Sequence, residues 1–320
     1  MRILFVIDKI EYKYFEFNDL VTNFWLIKEF STNNNVDITT INKLTLIGDT
    51  AYATVHSVEQ KEDNIIFNKD INFQENLDNY DLIFFRPDPP VDDDYICATY
   101  IFDFCKKAKV INSPFAIRNF NEKLHALLFK EYMPQSIVSA SLKEIETFLD
   151  KHNEIILKPL NKCFGSGVFY LKKGDLNTRS IINTITHNEN SQAMIQEYIS
   201  IGKHGDKRVL TLGNKVLDYS IVKHPTNDDF KFNTHNSNFI SKGSLSKEEK
   251  ENYTKIAQKL NSMGIYMAGL DVIDGKIIEI NVTSPCYFIK EINEFFNTKL
   301  EKEICSYFLE SPCYNAKNVV

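Results

Sequence analysis

Residues 269–285 read Gly269-Leu270-Asp271-Val272-Ile273-Asp274-Gly275-Lys276-Ile277-Ile278-Glu279-Ile280-Asn281-Val282-Thr283-Ser284-Pro285. Two runs rich in β-branched residues flank an Asp-Gly pair, the composition of two strands joined by a tight turn. Side chains alternate faces along a strand, so Glu279 and Asn281 point one way while Ile278, Ile280 and Val282 point the other. One face is wet and the other is core. A carboxylate and a carboxamide two residues apart are hard oxygen donors of the kind Mg²⁺ accepts, and Asp271 on the first strand is a third candidate. A strict two-residue turn, however, sets Asp271 opposite Ile278 and away from Glu279. For the acids to share a face the connection must hold a bulge or a three-residue loop, which Gly275 permits. The spacing predicts that irregularity, and a solvated edge hairpin is the alternative reading of this stretch taken alone.

A chain of 320 residues suits two or three structural units rather than one small core. Hydrophobic residues make up 43% and charged residues 25%, the balance of a soluble globular protein. The net charge of −6, with Lys and Arg scattered among acids and no basic run, gives no indication of a nucleic-acid partner. Met1 to Ile7 is an apolar run too short for a signal peptide, and no window approaches the roughly 18 apolar residues of a membrane span. The six cysteines form no C-x-x-C pair and read as reduced thiols, which makes the cytoplasm the expected location.

Upstream of the hairpin, residues 1 to about 120 alternate strand and helix: Arg2–Ile7 strand, Leu20–Phe30 helix, Asp81–Phe85 strand, Tyr95–Lys107 helix, Lys109–Ile111 strand. Such alternation predicts a parallel, helix-flanked sheet, and no G-x-G-x-x-G follows the first strand. Arg86 falls at the carboxyl end of a strand, where it can hold a substrate carboxylate or tie down the Pro87-Asp88-Pro89-Pro90 loop. A helix is expected from Asn121 to Tyr132, with Lys123 near its start, where dipole logic disfavours a cation unless an anion is bound. Ile155–Pro159 is a strand delivering Lys158 at its end, and the loop carrying Gly165 and Gly167 follows, able to turn backbone N–H groups toward phosphate.

The strand Ala193–Ile199 offers a backbone edge that can read an adenine, with Tyr198 and Ile199 lining an apolar slot. Asp206, Lys207 and Arg208 then open a strand that turns at Gly213-Asn214 and returns as Lys215–Val222; a solvated turn explains an isolated D-K-R equally well. The polar stretch Thr226–Gly243 has the composition of a functional lid or of a disordered segment, Lys247–Met263 of an amphipathic helix, and Glu291–Leu309 of a closing helix before a loose tail.

Arg86-Pro87-Asp88-Pro89-Pro90, Ala98-Thr99-Tyr100-Ile101, Asn112-Ser113-Pro114, Asn121-Glu122-Lys123-Leu124, Ile156-Leu157-Lys158-Pro159-Leu160, Gly205-Asp206-Lys207-Arg208-Val209-Leu210 and the hairpin stand in one order and spacing. Over nearly its full length the chain resembles the bacterial glutathione synthetase family of the ATP-grasp superfamily. The resemblance implies an α/β protein, in part α+β. An N-terminal Rossmann-like substrate domain (1–120) precedes an ATP-grasp fold of a central subdomain (121–200) and a C-terminal subdomain with lid and metal hairpin (201–316), and 317–320 form a loose tail. It implies ATP contacts from Lys123, Lys158, Gly165, Gly167, Gln196 to Ile199, Asp206 and Lys207, a catalytic Arg208, and two Mg²⁺, with Mn²⁺ as a substitute, on Asp271, Glu279 and Asn281. Arg86, Lys223, Lys231, Asn233, Ser284, Pro285 and Cys286 fall to the substrates.

The implied reaction joins γ-glutamylcysteine to glycine at the expense of ATP, in a homo-oligomer, dimer or tetramer, with neither nucleic acid nor membrane as partner. The chain departs from the family in three places. Lys162, Cys163 and Phe164 precede Gly165 where the family loop is richer in glycine. Lys223, Lys231, Asn233 and Ser237-Asn238 stand where the lid has arginine and paired glycines, and Lys290-Glu291 replaces Arg-Glu after Ser284-Pro285. A ligase for another acid or peptide, and an ATP-binding regulatory protein without turnover, are the alternative readings.

Overall fold

Ile3 to Ile7 are all buried, as in a strand covered on both faces. The computed structural model describes residues 1–8, 21–61, 64–68, 70–163, 165–200, 205–224 and 240–310. Its first sheet comprises β1 (Arg2–Ile7), β2 (Asn35–Thr40), β3 (Leu44–Ile47), β4 (Thr50–Lys61), β5 (Asn64–Phe67), β6 (Phe73–Asn76), β7 (Leu82–Phe85) and β8 (Lys109–Ile111). Strands β2-β1-β7-β8 run parallel in that order, as the alternation predicts. The long β4 joins β2 antiparallel and carries β3, β5 and β6, an addition that the strand–helix alternation does not foretell.

Helix α1 (Thr22–Phe30) packs Leu26, Ile27 and Phe30 on the face bearing Ile3, Phe5 and Ile7, while α2 (Asp93–Phe102) covers Leu4 and Val6 on the other. The crossovers from β1 and from β7 run to opposite sides of the sheet, so the carboxyl ends of these two strands meet at its switch point, where ligands gather in such folds. Helix α2 stops at Phe102, short of the expected Lys107. The Asp78 carboxylate accepts from the amides of Lys106 and Lys107, both at 2.8 Å, and Ala108 at 3.3 Å, which turns the chain out of the helix. After α3 (Pro114–Asn119) the expected helix from Asn121 is a turn followed by 3₁₀ winding over His125–Tyr132, broken at Phe129. Asn121 Oδ1 caps the turn by accepting from the amides of Lys123 and Leu124.

The second sheet is antiparallel, in the order β11-β10-β12-β9: β9 (Ser136–Ser139), β10 (Glu154–Pro159), β11 (Phe169–Lys172) and β12 (Ala193–Glu197). Helices α4 (Leu142–His152) and α5 (Thr178–Ile185) cover one face, with Ile145, Leu149, Ile155, Leu157, Ile182 and Ile195 in a core of its own. Strand alternation leaves Ile156, Lys158, Met194 and Gln196 on the uncovered face.

The third sheet, β15-β14-β13-β16-β17, is antiparallel throughout: β13 (Asp206–Leu212), β14 (Lys215–Lys223), β15 (Ile240–Lys242), β16 (Met267–Ile273) and β17 (Lys276–Asn281). Helix α6 (Lys247–Ser262) begins in a capping box of Ser246 and Glu249. The closing helix is two, α7 (Ile289–Phe296) and α8 (Leu300–Glu310), because Asn297 adopts φ 49° and the Asn293 side chain accepts from the Leu300 amide. Leu210, Leu212, Ile221, Met267, Ile292, Ile304 and Phe308 pack with Ile3, Phe5 and Phe84, so the first and third sheets share one core. Buried Asn112 reinforces that joint: it donates to the carbonyls of Met267 and Val282, both at 2.8 Å, and accepts from the amides of Tyr266 and Met267.

The hairpin contains the expected irregularity. Ile273 pairs Lys276 and Val272 pairs Ile277 around Asp274-Gly275, and the register then shifts so that Asp271 faces Glu279. Ile278 is the extra residue. It is accordingly half-buried rather than part of the core face, while Ile277, Ile280 and Val282 are buried.

Candidate functional site

On the face of β13 that carries residues 206 and 208, and on β16 beside it, four charged side chains are packed together. Arg208, Asp206, Lys223 and Asp271 are each 9% exposed or less. Arg208 forks onto Asp271, Nε to Oδ1 at 2.6 Å and the second nitrogen to Oδ2 at 3.2 Å. Lys223 bridges Asp206 at 2.6 Å and Asp271 at 3.4 Å. Asn281 Nδ2 donates to Asp271 Oδ2 at 3.1 Å. Burial opposes the charge on Asp271, but Arg208 and then Lys223 outweigh it and hold the carboxyl well below the usual carboxylate range. Asp206 goes the other way: burial pushes it up to about 6 against the pull of Lys223. Gly269 lets the Arg208 side chain lie across β16, since a Cβ there would meet Arg208 Cδ at 3.0 Å.

Two lysines reach this strand pair from other parts of the chain. Lys158, on the uncovered face of the second sheet, donates to the Ile278 carbonyl at 3.3 Å, the carbonyl that the bulge turns outward. Lys123, from the capped turn, contacts Glu279 Oε1 at 3.2 Å and donates to the Lys162 carbonyl at 2.6 Å, which holds the glycine loop against the site. Burial pulls the Lys158 pKa down, with Glu279 opposing, so an anion entering here would favour the charged form of the lysine. Gly165 and Gly167 both have positive φ, 70° and 71°, and their loop joins β10 to β11.

Of the adenine-edge candidates, buried Gln196 lies on the Lys158 face and its side chain donates to Ser136 Oγ at 3.3 Å. Tyr198 stacks edge-on to Tyr170 at 4.8 Å, with Ile199 half-buried beyond it. Glu197 points to the opposite face, where it accepts from the Gln135 amide and pairs with His152. Strand alternation also carries Lys207 away from Arg208, to a 2.7 Å ion pair with Glu249 of α6, so the structure does not bring Lys207 or the Glu197 side chain to the cleft.

Arg86 is 3% exposed and is used internally, donating to Asn23 Oδ1 at 2.5 Å and the Pro285 carbonyl at 3.0 Å. This is the loop-anchoring arrangement. Lys223, expected in the lid, is the buried end of β14 instead. Ser284, Pro285 and Cys286 form a link: Ser284 bonds the Asp88 side chain, Pro285 holds Arg86, and the Cys286 carbonyl accepts from Arg208 at 3.2 Å. Lys231 and Asn233 lie outside the described residues, as does the polar stretch around them.

Glu122 is a site residue that sequence reasoning misses. It accepts from the amides of Val282 (2.6 Å) and Thr283 (3.0 Å) and fixes the end of β17. Its place next to Lys123 is the signal that could have found it. Asp271, Glu279 and Asn281, two carboxylates and a carboxamide on one face, are the hard oxygen donors that could hold a divalent cation here, with Asp271 engaged by Arg208 and Lys223 and Glu279 by Lys123.

No helix among the described residues is long and apolar enough to cross a membrane. A family model for the prokaryotic glutathione synthetase N-terminal domain matches residues 1–118, and one for the prokaryotic glutathione synthetase ATP-grasp domain matches residues 122–297. The glutathione synthetase of Nostoc sp. is 32% identical over 283 residues, 85% of this chain and 87% of that protein. That of Buchnera aphidicola is 35% identical over 274 residues, 83% and 84%. Among solved structures, D-cycloserine synthetase DcsG superposes with a TM-score of 0.65 at 11% identity, covering 95% of this chain and all, 100%, of its own. D-alanyl-alanine synthetase A from Vibrio cholerae gives 0.56 at 12%, covering 98% and 97%. These structures share the fold of this chain over nearly its whole length, and with the two family models matching residues 1–118 and 122–297 the protein belongs to the prokaryotic glutathione synthetase family.

Proposed function

We propose that the cleft between the second and third sheets binds ATP and that the protein is a glutathione synthetase, an ATP-dependent ligase forming a peptide bond. The observation that carries this reading is the meeting of Lys123 and Lys158 with the bulged acid strand: cations from the nucleotide side contact Glu279 and the Ile278 carbonyl directly. The central ATP-grasp unit (121–200) and the C-terminal unit (201–316) would then supply opposite walls, with the N-terminal unit (1–120) holding the acid.

In this mechanism Lys123 and Lys158 exchange their protein oxygens for phosphate oxygens, and the main-chain amides around Gly165 and Gly167 close over the triphosphate. Gln196 and the Tyr170–Tyr198 pair border the adenine. Asp271, Glu279 and Asn281 would hold Mg²⁺, two ions in the family's manner with Mn²⁺ as a substitute, which neutralises charge on the triphosphate when bound. Arg208, kept oriented by Asp271, faces the transferred phosphoryl group. The cysteinyl carboxylate of γ-glutamylcysteine takes that group from ATP and releases ADP; the glycine amine attacks the resulting acyl phosphate and phosphate departs. Phosphoryl transfer to a carboxylate asks for positioning and charge neutralisation rather than a protein nucleophile, and this cleft offers those.

The test is ADP release with γ-glutamylcysteine plus glycine, measured against a panel of other acids and amines; turnover with another pair and none with this one would overturn the assignment. Glu279→Gln should keep the fold and lower Mg²⁺-dependent turnover by about 100-fold or more, and unchanged kcat would remove the metal assignment. Cys97, Cys105, Cys163, Cys286 and Cys305 are free thiols, which supports a cytoplasmic location. A homo-oligomer is expected, with its mass in solution to be read by light scattering.

A further inference from the structure

The carboxyl ends of β1 and β7 carry an acid each, Asp8 and Asp88. The Asp88 amide donates to Asp8 Oδ2 at 2.5 Å, which sets the two residues side by side at the switch point of the sheet. Asp8 is half-buried and Asp88 exposed. Below them lies Tyr95, whose residue is 1% exposed and whose hydroxyl has no hydrogen-bond partner among the described residues. The charges acting on that hydroxyl, after burial itself, are those of Glu122, Asp8, Arg86 and Asp88. A buried phenol within reach of the charge of these carboxylates, with no hydrogen-bond partner among the described residues, marks a place for a ligand.

Arg86, the nearest cation, is already engaged with Asn23 and the Pro285 carbonyl, and Glu122 is spent on the backbone of Val282 and Thr283. Asp8, pushed up to about 6 by burial against the pull of the Asp88 amide, would be relieved by a cation. Three oxygens, from Asp8, Asp88 and Tyr95, match the three N–H donors of an ammonium group.

We propose that this switch point is the subsite for the primary ammonium of the acid substrate, the free α-amino end of its γ-glutamyl unit, with Asp8 and Asp88 as carboxylate partners and Tyr95 Oη as the third acceptor. The assignment rests on the ligase reading above. Its placement follows from the Ser284-Pro285-Cys286 link, which touches Asp88 at one end and Arg208 at the other. Those two residue steps span at most about 7 Å, so a γ-glutamyl dipeptide anchored here by its amine can extend its far carboxylate toward Arg208.

The experiment compares γ-glutamylcysteine with its counterpart lacking the α-amino group, glutaryl-cysteine, as acid substrates of the wild type, Asp88→Asn, Asp8→Asn and Tyr95→Phe, with saturating ATP and glycine. The wild type should prefer the amine-bearing acid by about 10- to 100-fold in kcat/KM. In the Asp variants that preference should collapse toward unity, through the KM of the acid, with the KM of ATP unchanged. Asp88 is exposed, so its variant tests the idea even where Asp8→Asn folds poorly. Equal use of both acids by the wild type, an equal loss on both in the variants, or a rise confined to the KM of glycine would overturn the proposal while leaving the ligase reading intact. ADP release with neither acid would overturn both.

Discussion

Asp271 is surrounded by Arg208, Lys223 and Asn281, and its removal strands two buried cations. Asp271→Asn should therefore destabilise the protein by about 3–5 kcal/mol, read by urea unfolding at neutral pH. The pH dependence has a definite sign. Because the folded carboxyl titrates below its ordinary 3.8, its contribution is complete above that value and is lost as the pH falls through the folded pKa. Asp206 acts oppositely: its folded pKa of about 6 against an ordinary 3.8 makes it cost stability as the pH rises between those values, and Asp206→Asn should flatten that decline. Gly269→Ala tests the neighbouring contact. Its Cβ would press on Arg208 Cδ at 3.0 Å, so kcat should drop several-fold while the melting temperature moves by no more than a few degrees, about 1 kcal/mol.

At the scale of elements, the hairpin shows what a sequence can and cannot disclose. The bulge was legible because Asp271 and Glu279 cannot share a face without one, and the register shift lies beside Asp271. That the bulge also turns the Ile278 carbonyl toward Lys158 was not legible, since it depends on a strand 120 residues away. Lys207 reads as part of D-K-R, although the alternation applied to the hairpin already sends it to the other face. The α2 boundary is missed because Asp78, a distant side chain, ends the helix. Strand β4 hid its period of two behind small residues, Ala51, Ala53 and Val55. Gly275 has φ 72°, and a methyl group added to its Cα would meet nothing within 4 Å. Gly275→Ala should therefore cost about 1 kcal/mol by backbone strain alone, measured as a fall in melting temperature with kcat retained.

For the molecule as a whole, the parallel first sheet and the antiparallel third sheet are joined by one interior and by the four hydrogen bonds of Asn112. Asn112→Ala should cost several kcal/mol, on the order of 1–3 for each buried group left unpaired, seen as a lowered urea midpoint. The overall layout was readable from strand–helix alternation followed by isolated hairpins, whereas which sheets share an interior was not, because no local pattern encodes the partner of an apolar face. The second sheet keeps a private interior of Ile145, Leu149, Leu157 and Ile195, and Lys158 and Lys123 are among its polar ties to the acid strand. A body with its own interior behaves as a separate cooperative unit, so in deuterium its amides should exchange on a different schedule from those of the other two sheets. Adding nucleotide should slow that schedule selectively, because the ligand would knit together two parts that the polypeptide leaves only lightly fastened.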